Sequence, residues 1–175
     1  MIEYLTGDAT RPRATPKTKI IAHVCNDAGG WGRGFVTALS RRYIGAEEAY
    51  REWHRGVRGA ASSYESKTTG KFALGESQLV YVEGSMMVRG LVTAGGVHIC
   101  NMVAQEGFGP STEPRIRYPA LALCLRHLDD WATELDAEVH MPRIGCGLGG
   151  GRWERVMALV ERLVSAPVFV YDLPA

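Results

Sequence analysis

The chain has 175 residues, 46% of them hydrophobic, and a formal net charge of +1. That length supports one domain with a substantial core, expected here over residues 1–175, and is short for two. The near balance of basic and acidic residues excludes a polyphosphate-tracking surface, so duplex DNA is not an expected partner.

The opening residues, MIEYLTGDAT, read as a short strand over 2–5 and a turn, without the apolar stretch of a secretory signal. No run of about eighteen apolar residues occurs, which points away from a membrane segment and towards the cytoplasm. RPRATPKT is a loop, and residues 19–24 (KIIAHV) form a near-continuous apolar run expected as a buried strand. CNDAGGWGRG is a glycine loop. Phe35, Ala38, Leu39 and Tyr43 then mark one helical face, and residues 46–58 a second helix with Tyr50 and Trp53 inward. Residues 59–75 are small and polar and read as loop. Residues 78–83 (QLVYVE) and 97–103 (VHICNMV) read as strands, with 84–96 between them as an ambiguous hairpin. Residues 106–114 (EGFGPSTEP) are loop, and 118–135 a long helix by the spacing of Leu121, Leu123, Cys124, Leu128 and Trp131. A strand through Val139, Met141 and Ile144 enters a second glycine loop; a helix follows through Trp153, Val156, Leu159, Val160 and Leu163. Residues 168–171 (VFVY) close the chain as a strand. Strands alternating with helices predict an α/β fold with a mixed, mainly parallel sheet.

The four cysteines, Cys25, Cys100, Cys124 and Cys146, form no C-x-x-C pair and read as reduced thiols. His23 and Cys25 have nothing nearby to complete a zinc site, so no metal is expected.

Five glycines fall within residues 145–151 (GCGLGGG). Residues 145–150 formally match G-x-G-x-x-G, and Asp172 lies downstream where a dinucleotide fold places its ribose carboxylate. Such a fold needs several further strands after the fingerprint, and only one follows. A tight strand-to-helix turn needs one or two glycines. Five carry a large entropic cost, tolerated where backbone must approach a ligand closely. Backbone N–H groups ahead of a helix form an anion cradle. The loop from Asn26 to Gly34 repeats the design: strand, glycines, helix start. Two such loops facing each other across one sheet edge suit a diphosphate, with a nucleoside at one end and another group at the other. Neither ends in G-K-[ST], so a triphosphate with magnesium is not implied.

Three segments resemble the macrodomain family of ADP-ribose-binding modules: Gly7-Asp8-Ala9-Thr10; the run from Ala22-His23-Val24-Cys25-Asn26 to Gly32-Arg33-Gly34; and residues 141–153. The first and second glycine loops are similar to those of the terminal ADP-ribose protein glycohydrolase, of the yeast ADP-ribose 1″-phosphate phosphatase and of actinobacterial macrodomains that remove ADP-ribose from protein. The resemblance implies a three-layer α/β/α sandwich that needs no metal or cofactor. Its partners would be ADP-ribose and ADP-ribosylated proteins, and the chain is taken as a monomer. Position by position, it implies that Asp8, beside Ala9, accepts from the adenine amino group; a turn cap is the other reading of Asp8. Gly30, Trp31, Gly32, Arg33 and Gly34, leading into Phe35, would line the distal ribose and phosphates. Trp31 would shield the ribose, or else anchor its loop on the core. Ile144, Gly145, Cys146, Gly147, Leu148, Gly149 and Gly150 would wrap the diphosphate, and Tyr171 and Leu173 would lie by the adenine, or simply pack at an edge strand.

The match breaks at two positions. The glycohydrolase uses a lysine on a central strand and an aspartate directly after its G-C-G-L; here those places hold Ala104-Gln105 and Gly149. Hydrolysis without them requires a fixed ribose, a positioned water and stabilisation of an oxocarbenium-like state. The candidate helpers are Asn26 on the ribose hydroxyls, Asp27 on the water unless it is a solvated loop acid, and His23, which reads first as a satisfied core histidine. Gln105 and Glu106 rank below them. The expected function is a hydrolase that frees ADP-ribose from mono-ADP-ribosylated proteins at glutamate or aspartate esters. The alternatives are a non-catalytic ADP-ribose reader and an ADP-ribose 1″-phosphate phosphatase, with a dehydrogenase a distant fourth.

Overall fold

A computed structural model describes residues 1–57, 62–83, 87–88, 91–92 and 95–175. The elements run β1 (Ile2–Thr6), β2 (Thr18–Asn26), α1 (Phe35–Arg42), α2 (Ile44–His54), β3 (Ser66–Thr68), β4 (Ser77–Glu83), β5 (Met87–Val88), β6 (Leu91–Val92), β7 (Val97–Gln105), α3 (Tyr118–Glu134), β8 (Ala137–Pro142), α4 (Trp153–Leu163) and β9 (Val168–Asp172). Seven strands form one sheet in the order β1-β9-β8-β2-β7-β4-β3. β1, β9, β8, β2 and β7 are mutually parallel, while β4 and β3 run antiparallel at the far side.

The two faces of the sheet bury two separate apolar cores. On β2, Ile20 and Ala22 point to one face and pack with Cys100 and Met102 of β7, Val139 and Met141 of β8, and Leu121, Leu125, Leu128, Val156 and Val160 of α3 and α4. Ile21 and Cys25 point to the other, against Leu39, Ala46, Ala49 and Tyr50 of α1 and α2. Side chains alternate along a strand, so a central strand covered on both faces is mostly apolar, and the polar groups it buries need partners. KIIAHV fits: Lys19 Nζ donates to Thr15 O and Lys17 O, and His23 pairs with Asn101. The result is an α/β/α sandwich.

Three expectations change. The stretch 59–75, read as loop, contains the edge strand β3, whose sequence SKT has no apolar alternation to announce it. The second helix ends at His54 rather than 58, and residues 58–61 lie outside the described residues. Within 84–96, Met87–Val88 pairs antiparallel with Leu91–Val92 as a hairpin would, and residues 84–86, 89–90 and 93–94 lie outside the described residues.

Candidate active site

Because β1, β9, β8, β2 and β7 are parallel, their carboxyl ends share one edge of the sheet, where open α/β folds bind ligands. The loops leaving that edge carry nearly all the candidate residues.

The β2 loop is organised by Asn26, at a register shift in the β2–β7 ladder. Its Oδ1 accepts from Ala28 N at 3.0 Å and Gly30 N at 2.9 Å, and its Nδ2 donates to Gly30 O at 2.7 Å. Tyr50 OH donates to Asn26 O at 2.7 Å. Both ends of the amide are thus engaged inside the loop, which Asn26 shapes, and one of the two Nδ2 hydrogens is left over. The amides of Gly32, Arg33 and Gly34 meet no acceptor among the described residues. Helix α1 starts immediately after, with no side-chain cap on its first turn. These donors and the helix dipole together favour an anion.

The β8 loop folds back on itself. Gly145, at φ 70°, turns the chain so that Gly151 N reaches Gly145 O at 2.8 Å, while Gly150 N bonds Gly147 O at 3.0 Å. Gly149 O accepts from Arg115 N and Ile116 N at 2.9 and 3.0 Å. The amides of Gly147, Leu148 and Gly149 meet no acceptor among the described residues. Ile144 is buried beneath the loop, and the half-buried Cys146 thiol is raised above its ordinary pKa by desolvation. The two loops meet: a Cβ on Gly34 would stand 3.4 Å from Leu148 Cδ1.

At the β1 and β9 ends, Gly7 N bonds Asp172 O at 2.8 Å. Asp8 Oδ1 accepts from both Thr10 N and Thr10 Oγ1 at 2.9 Å, which is the turn cap. Its Oδ2 has no partner among the described residues, so the same carboxylate keeps an acceptor for a ligand. Ala9 and Tyr171 cluster with Phe169, and Phe35 packs against them. Tyr171 OH accepts from Arg13 N at 3.0 Å and contacts His140 Nδ1 at 3.0 Å, while Leu173 is exposed. Asp172 forms a two-point pair with Arg143 at 2.6 and 2.7 Å, which occupies the carboxylate that a dinucleotide fold would have used.

Two candidates turn away from the edge. Trp31, expected over the ribose, is only 5% exposed. Its Nε1 donates to Ser40 Oγ at 2.8 Å and its ring packs on His23 and Tyr50. The indole is thus anchored on the core, where its buried N–H has a partner. His23 is a core histidine: Nε2 lies 2.6 Å from Asn101 Oδ1, and burial lowers its pKa to about 4. It stays neutral and enclosed, which removes it from the water-activating group.

Asp27 remains at the edge. Its Oδ1 accepts from Gly107 N at 2.7 Å, tying the β2 loop to the β7 loop, and Oδ2 is free among the described residues. Gln105 Nε2 donates to Gly107 O at 3.0 Å. One residue escaped the sequence reading. Phe108, 59% exposed, lies on bare backbone: a Cβ on Gly30 would meet its Cδ1 at 2.7 Å. An aromatic flanked by glycines in a loop (GFG) was the available signal. No group of three or more His, Cys, Asp or Glu placed to hold a metal occurs among the described residues. Nor is any helix there long and apolar enough to cross a membrane.

No protein-family model matches the chain. A macrodomain protein from Streptomyces coelicolor is 42% identical, the superposition covering 98% of this chain and 99% of that one with a TM-score of 0.75. The chain is a macrodomain. A Bacteroides thetaiotaomicron protein of unknown function is 38% identical over 99% of this macrodomain and 98% of its own chain, with a TM-score of 0.81. The ADP-ribose 1″-phosphate phosphatase of Lodderomyces elongisporus is 26% identical over 97% of each chain.

This macrodomain lacks the lysine and aspartate of the glycohydrolase branch. A Cβ at Gly149 would come within 2.7 Å of Gly145 O and 3.2 Å of Gln105 Oε1. The loop is closed too tightly there for an aspartate, and the strand region matching the lysine holds Ala104, fully buried, and Gln105, half-buried.

Proposed function

We propose that this macrodomain binds ADP-ribose along the carboxyl edge of its sheet and hydrolyses it from mono-ADP-ribosylated proteins at glutamate or aspartate esters. The observation that carries the reading is the pair of facing loops whose amides, on Gly32 to Gly34 and Gly147 to Gly149, have no acceptor among the described residues and could cradle an anion from two sides. The adenine takes the Asp8 end, donating its amino group to Oδ2, with Tyr171 and Leu173 beside it. The diphosphate lies between the cradles and the start of α1 at Phe35. The distal ribose faces Gly30, Asp27 and Phe108.

The reaction follows from this placement. Water attacks the anomeric carbon as the bond from that carbon to the ester oxygen breaks, through an oxocarbenium-like state. The departing electron pair leaves on the side-chain carboxylate, already a stable anion. Asp27 Oδ2 orients the water and takes its proton, aided by the ligand's own phosphate. Gln105 and Glu106, next to Asp27 on the neighbouring strand end, border the same space. This route needs no covalent lysine intermediate.

The phosphatase relative supports a second reading on the same cradles, release of phosphate from ADP-ribose 1″-phosphate. A time course on a protein modified at glutamate, with a serine-modified protein and ADP-ribose 1″-phosphate in parallel, decides between them. The expected result is release of ADP-ribose from the glutamate substrate alone. Phosphate release without loss from protein selects the phosphatase, and tight ADP-ribose binding with neither reaction leaves a reader.

A further inference from the structure

Beside the β8 loop is a cleft of about 240 Å³ lined by residues 109, 111–115 and 148–150. It adjoins the proposed ribose end through two residues. Leu148 faces the cleft and also reaches Gly34, while Phe108 covers Gly30 and leads directly into Gly109. Both side chains are exposed, at 64% and 59%.

The wall is held rigid from within. Arg115 donates to the carbonyls of Glu106, Gly109 and Pro110 at 2.9–3.1 Å, and Arg117 bonds Pro114 O and the Glu106 carboxylate at 2.8 Å. Three of the five Arg115 N–H donors are thereby turned into the wall, and the other charged side chain of the lining is the acidic Glu113. The lining therefore carries no net positive charge among the described residues to draw a second nucleotide or phosphate. The volume is below the roughly 300–1,000 Å³ of a pocket that encloses a whole small-molecule ligand. What remains on offer is the two hydroxyls of Ser111 and Thr112, bare backbone at Gly109 and Gly150, and the apolar side chain of Leu148, with Phe108 one residue from the lining. That set suits a short stretch of polypeptide, which brings its own amide donors and acceptors and apolar carbons.

We propose that this cleft, with Leu148 in its wall, is the subsite for the polypeptide flanking the modified carboxylate. The assignment rests on the ADP-ribose placement above. It makes the enzyme selective for protein-linked ADP-ribose over free ADP-ribose and over ADP-ribose linked to another ADP-ribose.

The test is calorimetric binding of three probes: free ADP-ribose, an ADP-ribose dimer, and a peptide carrying ADP-ribose through a non-hydrolysable triazole link. The wild-type chain is expected to bind the peptide conjugate about tenfold more tightly than free ADP-ribose, the scale of a few buried contacts. Thr112→Trp, which fills the cleft, should erase that advantage and leave the free ADP-ribose affinity within about twofold. Ser111→Trp provides the same test should the first variant fold poorly by thermal unfolding. A conjugate bound no better than free ADP-ribose overturns the proposal, as does equal weakening of both in the filled variants. A dimer that gains the same advantage and loses it on filling overturns it in favour of a nucleotide occupant. A conjugate advantage in a chain that releases nothing from ester-modified protein removes the hydrolase reading and leaves the subsite. Failure to bind ADP-ribose at all removes both.

Discussion

Alanine at two neighbouring glycines of the β8 loop separates internal packing from ligand approach. At Gly149 the new methyl would stand 2.7 Å from Gly145 O, the carbonyl that already accepts from Gly151 N at 2.8 Å. Relief requires the loop to open, which strains that bond and the two that Arg115 and Ile116 donate to Gly149 O. Overpacking of this kind costs about 1–3 kcal/mol. At roughly 2–4 °C per kcal/mol for a chain of this size, Tm should fall by about 2–12 °C. At Gly147 a methyl meets nothing within 4 Å, and the backbone is not in the left-handed region. Gly147→Ala should therefore stabilise slightly, by about 0.4–1 kcal/mol through the unfolded chain. The open space at Gly147 is where the diphosphate is placed, so the same methyl should weaken ADP-ribose about tenfold or more. Thermal unfolding and ADP-ribose calorimetry on both variants give the answer. A Gly149→Ala protein that unfolds with the wild type refutes the packing argument. A Gly147→Ala protein with full affinity removes this loop from the diphosphate site.

Asp27→Asn keeps the oxygen that accepts from Gly107 N and removes the base. Turnover of a glutamate-modified protein should fall about 10²–10⁴-fold with little change in ADP-ribose affinity, and equal losses in both would reduce Asp27 to a loop clamp. Asp8→Asn keeps the oxygen that caps Thr10 and turns an amide donor towards the adenine amino group. Preference for ADP-ribose over its hypoxanthine counterpart should fall or reverse; an unchanged preference in competition binding would clear Asp8 of base recognition. Burial lowers the pKa of His23 to about 4 and that of His140 to about 3, against about 6.5 in an unfolded chain. As pH falls the unfolded chain takes up protons first. The stability held by these neutral rings is full above pH 6.5 and lost progressively down towards pH 4 and 3. The urea midpoint should decline from pH 7 to 5 with a slope approaching two protons, and a flat midpoint would contradict the burial of these rings.

The chain's local patterns were enough to locate most elements and both glycine loops. Strand and helix periodicities are properties of contiguous residues, so KIIAHV, 118–135 and 153–163 announce themselves, and a run of glycines marks where backbone must come close to something. Strand order was not legible: β9 inserts between β1 and β8, pairing segments far apart in the chain by shape and burial rather than by any local signal. Nor was the direction of loop side chains. Trp31 turned inward because Ser40 and the His23–Tyr50 cluster offered its N–H and its ring a better environment than solvent. Asn26 closed on its own loop for the same reason, leaving buried backbone groups satisfied. Phe108 came to rest on Gly30, 78 residues away, through a loop that Arg115, Arg117 and Asp27 hold in place. The residue types needed for an anion cradle were written in the sequence. Which side chains border that cradle and which belong to the scaffold was decided by long-range packing, where each polar atom took the nearest partner that burial left it.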